Sequence, residues 1–382
     1  MFTPDRAFIE RLPKTDLHVH LDGSMRLSTI LELADARGVK LPATDEAGLA
    51  KAIHMGEICQ DLNDYLRAFD ITLSVLQDEE ALRRAAYELA EDAARENVRY
   101  MEVRYSPILH TRKGAALTRI VESVIEGLAD ARRDHGIACN VIICGIRHIE
   151  PQQSLRLAEV ASAYKNKGVC GFDLAGAEYD YPPKQHREAF YLVRNNNVRS
   201  TIHAGEAYGP ESIHQAIHVC GAHRIGHGTR LREDGELLNY VTDQRIPLEV
   251  CLSSNVQTRA VRDFQSHPLG FYFDFGVRVT INTDNRLITN ATVTDEYVRA
   301  VETFGFDATQ VKQLIINGFK SAFLPFHERQ TILRRVNQEV SALIEEEVAR
   351  LAATNAEAPV KAVDPATPQK KTPGATKAAT AA

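Results

Sequence analysis

Thr15-Asp16-Leu17-His18-Val19-His20-Leu21-Asp22-Gly23 is the stretch on which the reading of this chain turns. A β-strand sends successive side chains to opposite faces, so His18 and His20, two apart, share one face. Leu17, Val19 and Leu21 beside them are aliphatic, as a strand buried on both sides requires. Two imidazoles side by side on a buried strand make half of a metal site. A pair of hydrogen-bonded core histidines fits the same pattern, so the rest of the chain has to decide.

Short β-branched or apolar runs recur at about 15–21, 99–105, 138–146, 169–175, 198–203, 223–227, 246–252 and 277–283. Helical spacing fills the gaps. Leu82, Ala86, Leu89 and Ala93 recur at three- and four-residue steps, as do Ile120, Val124, Ile125 and Leu128. Leu155, Leu157, Val160 and Ala161 lie in the next gap. Alternating strands and helices imply parallel pairing with right-handed crossovers. Eight such units predict an α/β fold, a (β/α)8 TIM barrel with extra helices. The runner-up is an open doubly wound sheet. It would bring a glycine-rich phosphate loop after its first strand, and the single Gly23 does not make one.

The surplus length goes to two places. An insertion after the first strand, about 40–78, carries Ile58, Leu62, Tyr65, Leu66, Phe69, Leu73 and Leu76 as a stripe at helical spacing. Such a stripe packs on the barrel. Because it leaves the strand end that bears His18 and His20, it is also placed to serve as a lid. A helical C-terminus, about 307–353, ends with Ile332, Val336, Val340, Leu343 and Val348 on one side. Residues 1–354 are thus expected to form one catalytic domain. Residues 355–382 are Ala, Pro, Thr and Lys-rich without an aromatic residue, and are expected to be disordered because they have too little apolar surface to bury.

Composition narrows the function classes. With 382 residues, 44% apolar and 25% charged, the chain has the makings of an ordinary soluble protein with a large core. A net charge of −6 argues against nucleic acid or an anionic membrane as partner. Residues 1–12 hold no continuous apolar run, and nothing approaches the roughly 18 apolar residues of a membrane span. The six cysteines include no Cys-x-x-Cys, which reads as reduced core thiols in a cytoplasmic protein. It also argues against the zinc deaminases that bind their metal through that motif. No feature of the sequence speaks to oligomeric state.

In a barrel of this kind, side chains at the carboxyl ends of the strands converge on one mouth. Read in order, those ends carry His18 and His20, then Gly176, His203 with Glu206, His227, and Asp284 with Asn285. Core histidines placed at random would fall at both ends. Gly205 permits a tight turn that swings Glu206 back over the mouth, and Gly226 and Gly228 let ligand or backbone approach His227. Taken alone, Asp284 could cap a helix and His227 could be a buried neutral histidine. Three imidazoles and a carboxylate suit one Zn²⁺ with a position left for water, whose pKa the ion lowers to about 7. A two-metal centre would want a further bridging group on a middle strand; the strand at 169–175 offers only Asp173, and Lys167 lies at its wrong end. With one metal, Glu206 is free to act as a general acid and His227 to orient or deprotonate the water.

The Thr15–Gly23 stretch, Gly171-Phe172-Asp173-Leu174-Ala175-Gly176, His203-Ala204-Gly205-Glu206, Gly226-His227-Gly228 and Asn282-Thr283-Asp284 together resemble the adenosine deaminase family, in order and approximate spacing, from about residue 10 to 345. The resemblance implies hydrolytic deamination of adenosine and deoxyadenosine to inosine and ammonia, in purine salvage. It implies that His18, His20, His203 and Asp284 hold one zinc ion per chain. Glu206 would share a proton with purine N1, His227 would stabilise or deprotonate the attacking water, and Asp284 would accept a hydrogen bond from it. The N–H of Gly176 would meet N3, Asp22 would hold the ribose hydroxyl side, and His20 would also touch the substrate. Asn285 stands where many family members carry a second aspartate facing N7; a carboxamide brings its own donor to that acceptor. Ala177 and Leu252-Ser253-Ser254-Asn255 also depart from the family pattern and bear on substrate preference. Two alternatives remain open at this point: the same chemistry on adenine, AMP or an aminofutalosine-type 6-aminopurine, and a non-catalytic nucleoside-binding protein.

Overall fold

Eight strands account for the runs described above: β1 (Lys14–His20), β2 (Val98–Tyr105), β3 (Ala138–Ile146), β4 (Val169–Ala175), β5 (Arg199–Ala204), β6 (Arg224–His227), β7 (Leu248–Val250) and β8 (Val279–Ile281). The structure, a computed structural model, describes residues 2–54 and 59–357. The strands lie in chain order and each pairs parallel with the next. Asp284 closes the ring. Its N–H donates to His18 O and its carbonyl accepts from His20 N–H, both at 2.7 Å, bridging β1 to the residues after β8. The barrel's seam therefore runs through three of the expected metal ligands.

The last two strands are shorter than their apolar runs. Pro247 has no N–H for a ladder, and Cys251 already caps the helix Leu252–Gln257. Beyond β8, Asn282 replaces the ladder with its side chain: Oδ1 accepts from Leu17 N–H at 2.9 Å, and Nδ2 donates to Val250 O at 3.2 Å. The expected crossover helices are present at Glu79–Arg95, Leu117–His135 and Pro151–Ala163.

The insertion between β1 and β2 is helical, but its stripe is not one helix. Leu62–Leu66 and Phe69–Val75 are separate helices broken at Arg67-Ala68, and Ile58 lies outside the described residues. Tyr65, Leu73 and Leu76 are buried. The C-terminus forms helices Ala308–Ser321 and Phe326–Glu357. The second runs past residue 354, so the domain boundary expected there falls inside a helix; the remainder of the expected tail, 358–382, lies outside the described residues. Val348, expected on one side with Val336 and Val340, is 49% exposed, whereas those two are buried. The buried neighbour is Glu347, paired with Arg350 at 2.5 Å and Arg11 at 3.7 Å. Among the described residues no helix is long and apolar enough to cross a membrane, and all six cysteines are free.

Candidate active site and metal centre

The ends of β1 and β5 and the turn after β8 bring His18, His20, His203 and Asp284 together, with their donor atoms all within 4.8 Å of one another. His20 Nε2 and His203 Nε2 are 3.2 Å apart, and Asp284 Oδ1 is 3.4 Å from Nε2 of both His18 and His20. All four residues are buried. Two carboxylates behind them set the tautomers. His18 Nδ1–H donates to Glu249 at 2.9 Å, and His203 Nδ1–H donates to Asp173 at 3.1 Å. Each ring then turns an Nε2 lone pair inward, and that of His18 is buried without a hydrogen-bond partner. Facing lone pairs repel unless something cationic lies between them. The donor set and its orientation fit one metal ion.

These orienting carboxylates are gripped from below. Arg104 donates to Asp173 at 3.0 Å and Glu249 at 2.9 Å; Arg224 donates to Glu249 and Glu102 at 2.5 Å each. Burial by itself would raise the pKa of Glu249, but Arg104 and Arg224 hold it well below the ordinary carboxylate range. Asp284 is likewise depressed by His18, His20 and His227 against the effect of burial. Burial lowers His18 to about 4, which keeps its ring neutral as a ligand must be.

Glu206 and His227 complete the mouth, His227 Nε2 lying 3.5 Å from Glu206 Oε2. The His227 ring centroid is 4.8 Å from that of His18. Burial raises the pKa of Glu206, with His227 partly offsetting it. The turn carrying Glu206 is pinned by Glu178, whose carboxylate accepts the successive N–H groups of Gly205 (2.7 Å), Glu206 (2.9 Å), Ala207 (2.5 Å) and Tyr208 (3.0 Å). Gly205, at φ +73°, makes the turn possible. Both His227 (φ 62°) and Asp284 (φ 64°) hold left-handed backbones that side chains rarely adopt. That strain, on the order of 1–3 kcal/mol each, is the kind that persists at functional sites.

A hydrogen-bonded chain fixes the His227 tautomer. Leu269 N–H donates to His267 Nδ1 at 3.1 Å, so His267 Nε2 carries the proton and donates to Asn255 Oδ1 at 3.1 Å. The Asn255 amide must then turn Nδ2 to His227 Nδ1, at 3.0 Å. With Nδ1 accepting, neutral His227 carries its proton on Nε2, facing Glu206. It is set as a donor.

A family model described as adenosine deaminase matches residues 13–339. The chain is 43% identical over 345 residues to an adenosine deaminase of Mycolicibacterium vanbaalenii, covering 86% of this chain and 95% of that protein. It is 45% identical over 316 residues, 83% of this chain, to a probable adenosine deaminase of Dictyostelium discoideum, of which it spans 41%. The chain belongs to the adenosine deaminase family. An amidohydrolase from Burkholderia ambifaria with bound zinc superposes with a TM-score of 0.84 at 25% identity, over 90% of this chain and 94% of its own. An adenine deaminase from Arthrobacter aurescens does so at 0.80 and 27%, over 87% and 99%.

The remaining expected contacts of this adenosine deaminase family member ring the same mouth. Asp22 is buried two residues beyond His20, and burial raises its pKa to about 7. Asn285 is buried against Gly23, where an added Cβ would collide with Asn285 Oδ1. Gly176 ends β4 at φ +96°, and the His148 ring leaves no room for a side chain there. From the insertion, buried Tyr65 faces Asp284 and Asn285, and the Phe69 ring lies 6.4 Å from that of His20.

Sequence reasoning passed over Glu102, Arg104, Glu178, Glu249 and His267. It weighed Asp173 only as a bridging ligand and Asn255 only as part of a loop. Glu102, Arg104, Asp173 and Glu249 left a signal, because each is a charge inside a strand buried on both faces. Glu178, Asn255 and His267 left none, since each depends on which loops meet.

Proposed function

We propose that this chain catalyses hydrolytic deamination of adenosine and 2′-deoxyadenosine to the corresponding inosines and ammonia, using one zinc ion held by His18, His20, His203 and Asp284. The observation that carries the reading is the placement of Glu206 and His227 against that four-donor cluster. Three imidazoles and one carboxylate are donors that zinc favours. When bound, the ion supplies Lewis acidity and brings the pKa of water to about 7.

The protein's own groups divide the remaining work. Glu206, its pKa raised by burial, is shifted toward its protonated form and donates that proton to purine N1, which makes C6 electrophilic. His227, bonded through Nδ1 to Asn255, offers Nε2–H to the oxygen that attacks C6; of stabilising and deprotonating, this tautomer favours stabilising. Ser254 Oγ–H donates to Asp284 Oδ2 at 2.5 Å, which leaves Oδ1 toward the histidines. The N–H of Gly176 meets N3, the Asn285 carboxamide donates to N7, and Asp22 accepts from the sugar. Tyr65 and Phe69 support a covering role for the insertion. A cleft of about 540 Å³ between its Asn63, Leu66, Arg67 and Asp70 and the Ala177–Tyr181 loop supports that reading. The free, mostly buried cysteines support a cytoplasmic setting.

Ammonia release from adenosine, 2′-deoxyadenosine, adenine and AMP, with and without chelator, tests this. Adenosine and deoxyadenosine should be turned over only by metal-loaded protein. Preference for adenine would favour a second reading, supported by the likeness to the Arthrobacter adenine deaminase. Tight adenosine binding without ammonia release from zinc-loaded protein would overturn the enzymatic assignment.

A further inference from the structure

Beside the four-donor cluster, the rims of β1 and β2 hold buried polar atoms without hydrogen-bond partners among the described residues: Asp22 Oδ1, Ser106 Oγ and His110 Nε2. Leu21 N–H donates to Arg104 O at 2.9 Å, which sets the turn after β1 beside the end of β2. His110 Nε2 comes within 3.9 Å of Asp22 Oδ2, and His110 is fully buried. His110 stands outside the four-donor cluster, and its other nitrogen is tied down. Nδ1 lies 2.7 Å from the carbonyl oxygen of Leu76, which can only accept, so Nδ1 carries the proton. Gln77 holds the segment in place, donating to Leu109 O at 2.9 Å and accepting from Arg112 N–H at 3.0 Å. Burial keeps the ring neutral, with its pKa lowered to about 4. Nε2 is then a bare lone pair, 3.9 Å from Asp22 Oδ2 and out of its hydrogen-bond reach.

A buried acceptor with no donor within hydrogen-bond reach calls for a ligand that brings an O–H group. A phosphate, which has lone pairs and negative charge to offer, is the wrong chemistry. Asp22 forms no ion pair with a lysine or arginine among the described residues that could offset it. We propose that His110 is a sugar-recognition residue of this site, its Nε2 accepting a hydrogen bond from a ribose hydroxyl adjacent to the one Asp22 holds. The proposal rests on the nucleoside reading above and adds a specificity residue to it. Because Leu76 follows the helix Phe69–Val75, the carbonyl that fixes the acceptor belongs to the insertion between β1 and β2.

The test sets wild type, His110→Leu and His110→Gln, all zinc-loaded, against adenosine and its 2′-, 3′- and 5′-deoxy analogues. Leucine fills the space without an acceptor; glutamine keeps both a donor for Leu76 O and an acceptor for the sugar. His110→Leu should raise KM for adenosine about 10-fold with kcat unchanged, as loss of one uncharged hydrogen bond predicts. That penalty should vanish for one deoxy analogue, the one lacking the hydroxyl His110 accepts, and His110→Gln should recover most of the loss. Equal losses on all four substrates, or a loss confined to kcat, would overturn the proposal. Calorimetric binding of the same four nucleosides reads the same pattern without turnover. A wild type that releases no ammonia would thus sink the deaminase reading while the hydroxyl pattern still decides on His110. Should His110→Leu not fold, the wild type must itself discriminate about 10-fold against two deoxy analogues, one for the hydroxyl of Asp22 and one for that of His110, and His110→Gln must keep both; discrimination against one alone would overturn the proposal.

Discussion

Replacing Glu249 with glutamine should separate what holds the barrel together from what holds its metal. Glu249 is fully buried and meets His18, Arg104, Arg224 and Thr201. Inside the barrel Arg104 and Arg224 share three carboxylates: Glu102, Asp173 and Glu249. Removing one charge leaves Arg104 only Asp173 and Arg224 only Glu102 as ionic partners. Breaking a buried pair in this way costs about 3–5 kcal/mol. The lower end applies because the amide oxygen of glutamine still accepts from one of the guanidinium groups. For a chain of this length, about 3 kcal/mol lowers Tm by roughly 3–6 °C. The second effect is local. A neutral amide attracts the Nδ1 proton of His18 less strongly than a carboxylate does, so the Nε2 lone pair is less firmly presented, and weakening such a partner lowers metal affinity about 10–100-fold. Glu102→Gln is the control. Glu102 binds Arg224, Tyr100 O–H and Phe323 N–H but no metal ligand, so it should lower Tm comparably and leave metal affinity alone. Thermal melts of the apo-proteins and competition with a zinc-buffering chelator measure the two effects separately. Equal weakening of metal binding in both variants, or wild-type affinity in Glu249→Gln, would refute the orienting role.

Three further outcomes are expected. Glu206→Gln should keep its metal and lose about 10²–10⁴ in kcat. Because burial raises the Glu206 pKa and the protonated form is the competent one, the wild-type rate should fall as pH rises through that value, a limb that a kcat–pH profile of the variant should lack. Asn255→Leu removes the donor that fixes His227 Nδ1, and kcat should drop at least about 10-fold with metal content, read by elemental analysis, unchanged. Chelation should abolish ammonia release and lower Tm, with zinc restoring both; free zinc at about 1,000 times its Kd contributes roughly 4 kcal/mol to stability by mass action.

The strands and the site were legible in the sequence for the same reason. A parallel barrel buries both faces of every strand, so its runs stand out as aliphatic, and polar residues at their carboxyl ends stand out against them. That is why His18, His20, His203 and Asp284 could be picked from strand ends and were found within 4.8 Å of one another. The same contrast was present at Glu102, Arg104, Asp173 and Glu249, inside the strands, where a buried charge demands a partner. Alternation alone places Glu102 and Arg104 on one face of β2, which points to an ionic core. What could not be read is which charge meets which. Arg104 grips Asp173 and Glu249 from different strands, at sequence separations of 69 and 145. The stripe in the insertion misled in its continuity because helical spacing persists across the break at Arg67-Ala68. Glu178 was illegible for another reason. Its partners are the backbone N–H groups of residues 205–208, which look the same in every sequence. Four amides converging on one carboxylate is a property of the Gly205 turn, and that turn exists because Gly205 accepts a left-handed φ. The acid at Glu206 thus owes its position less to its own side chain than to an anion 28 residues earlier that only the folded chain reveals.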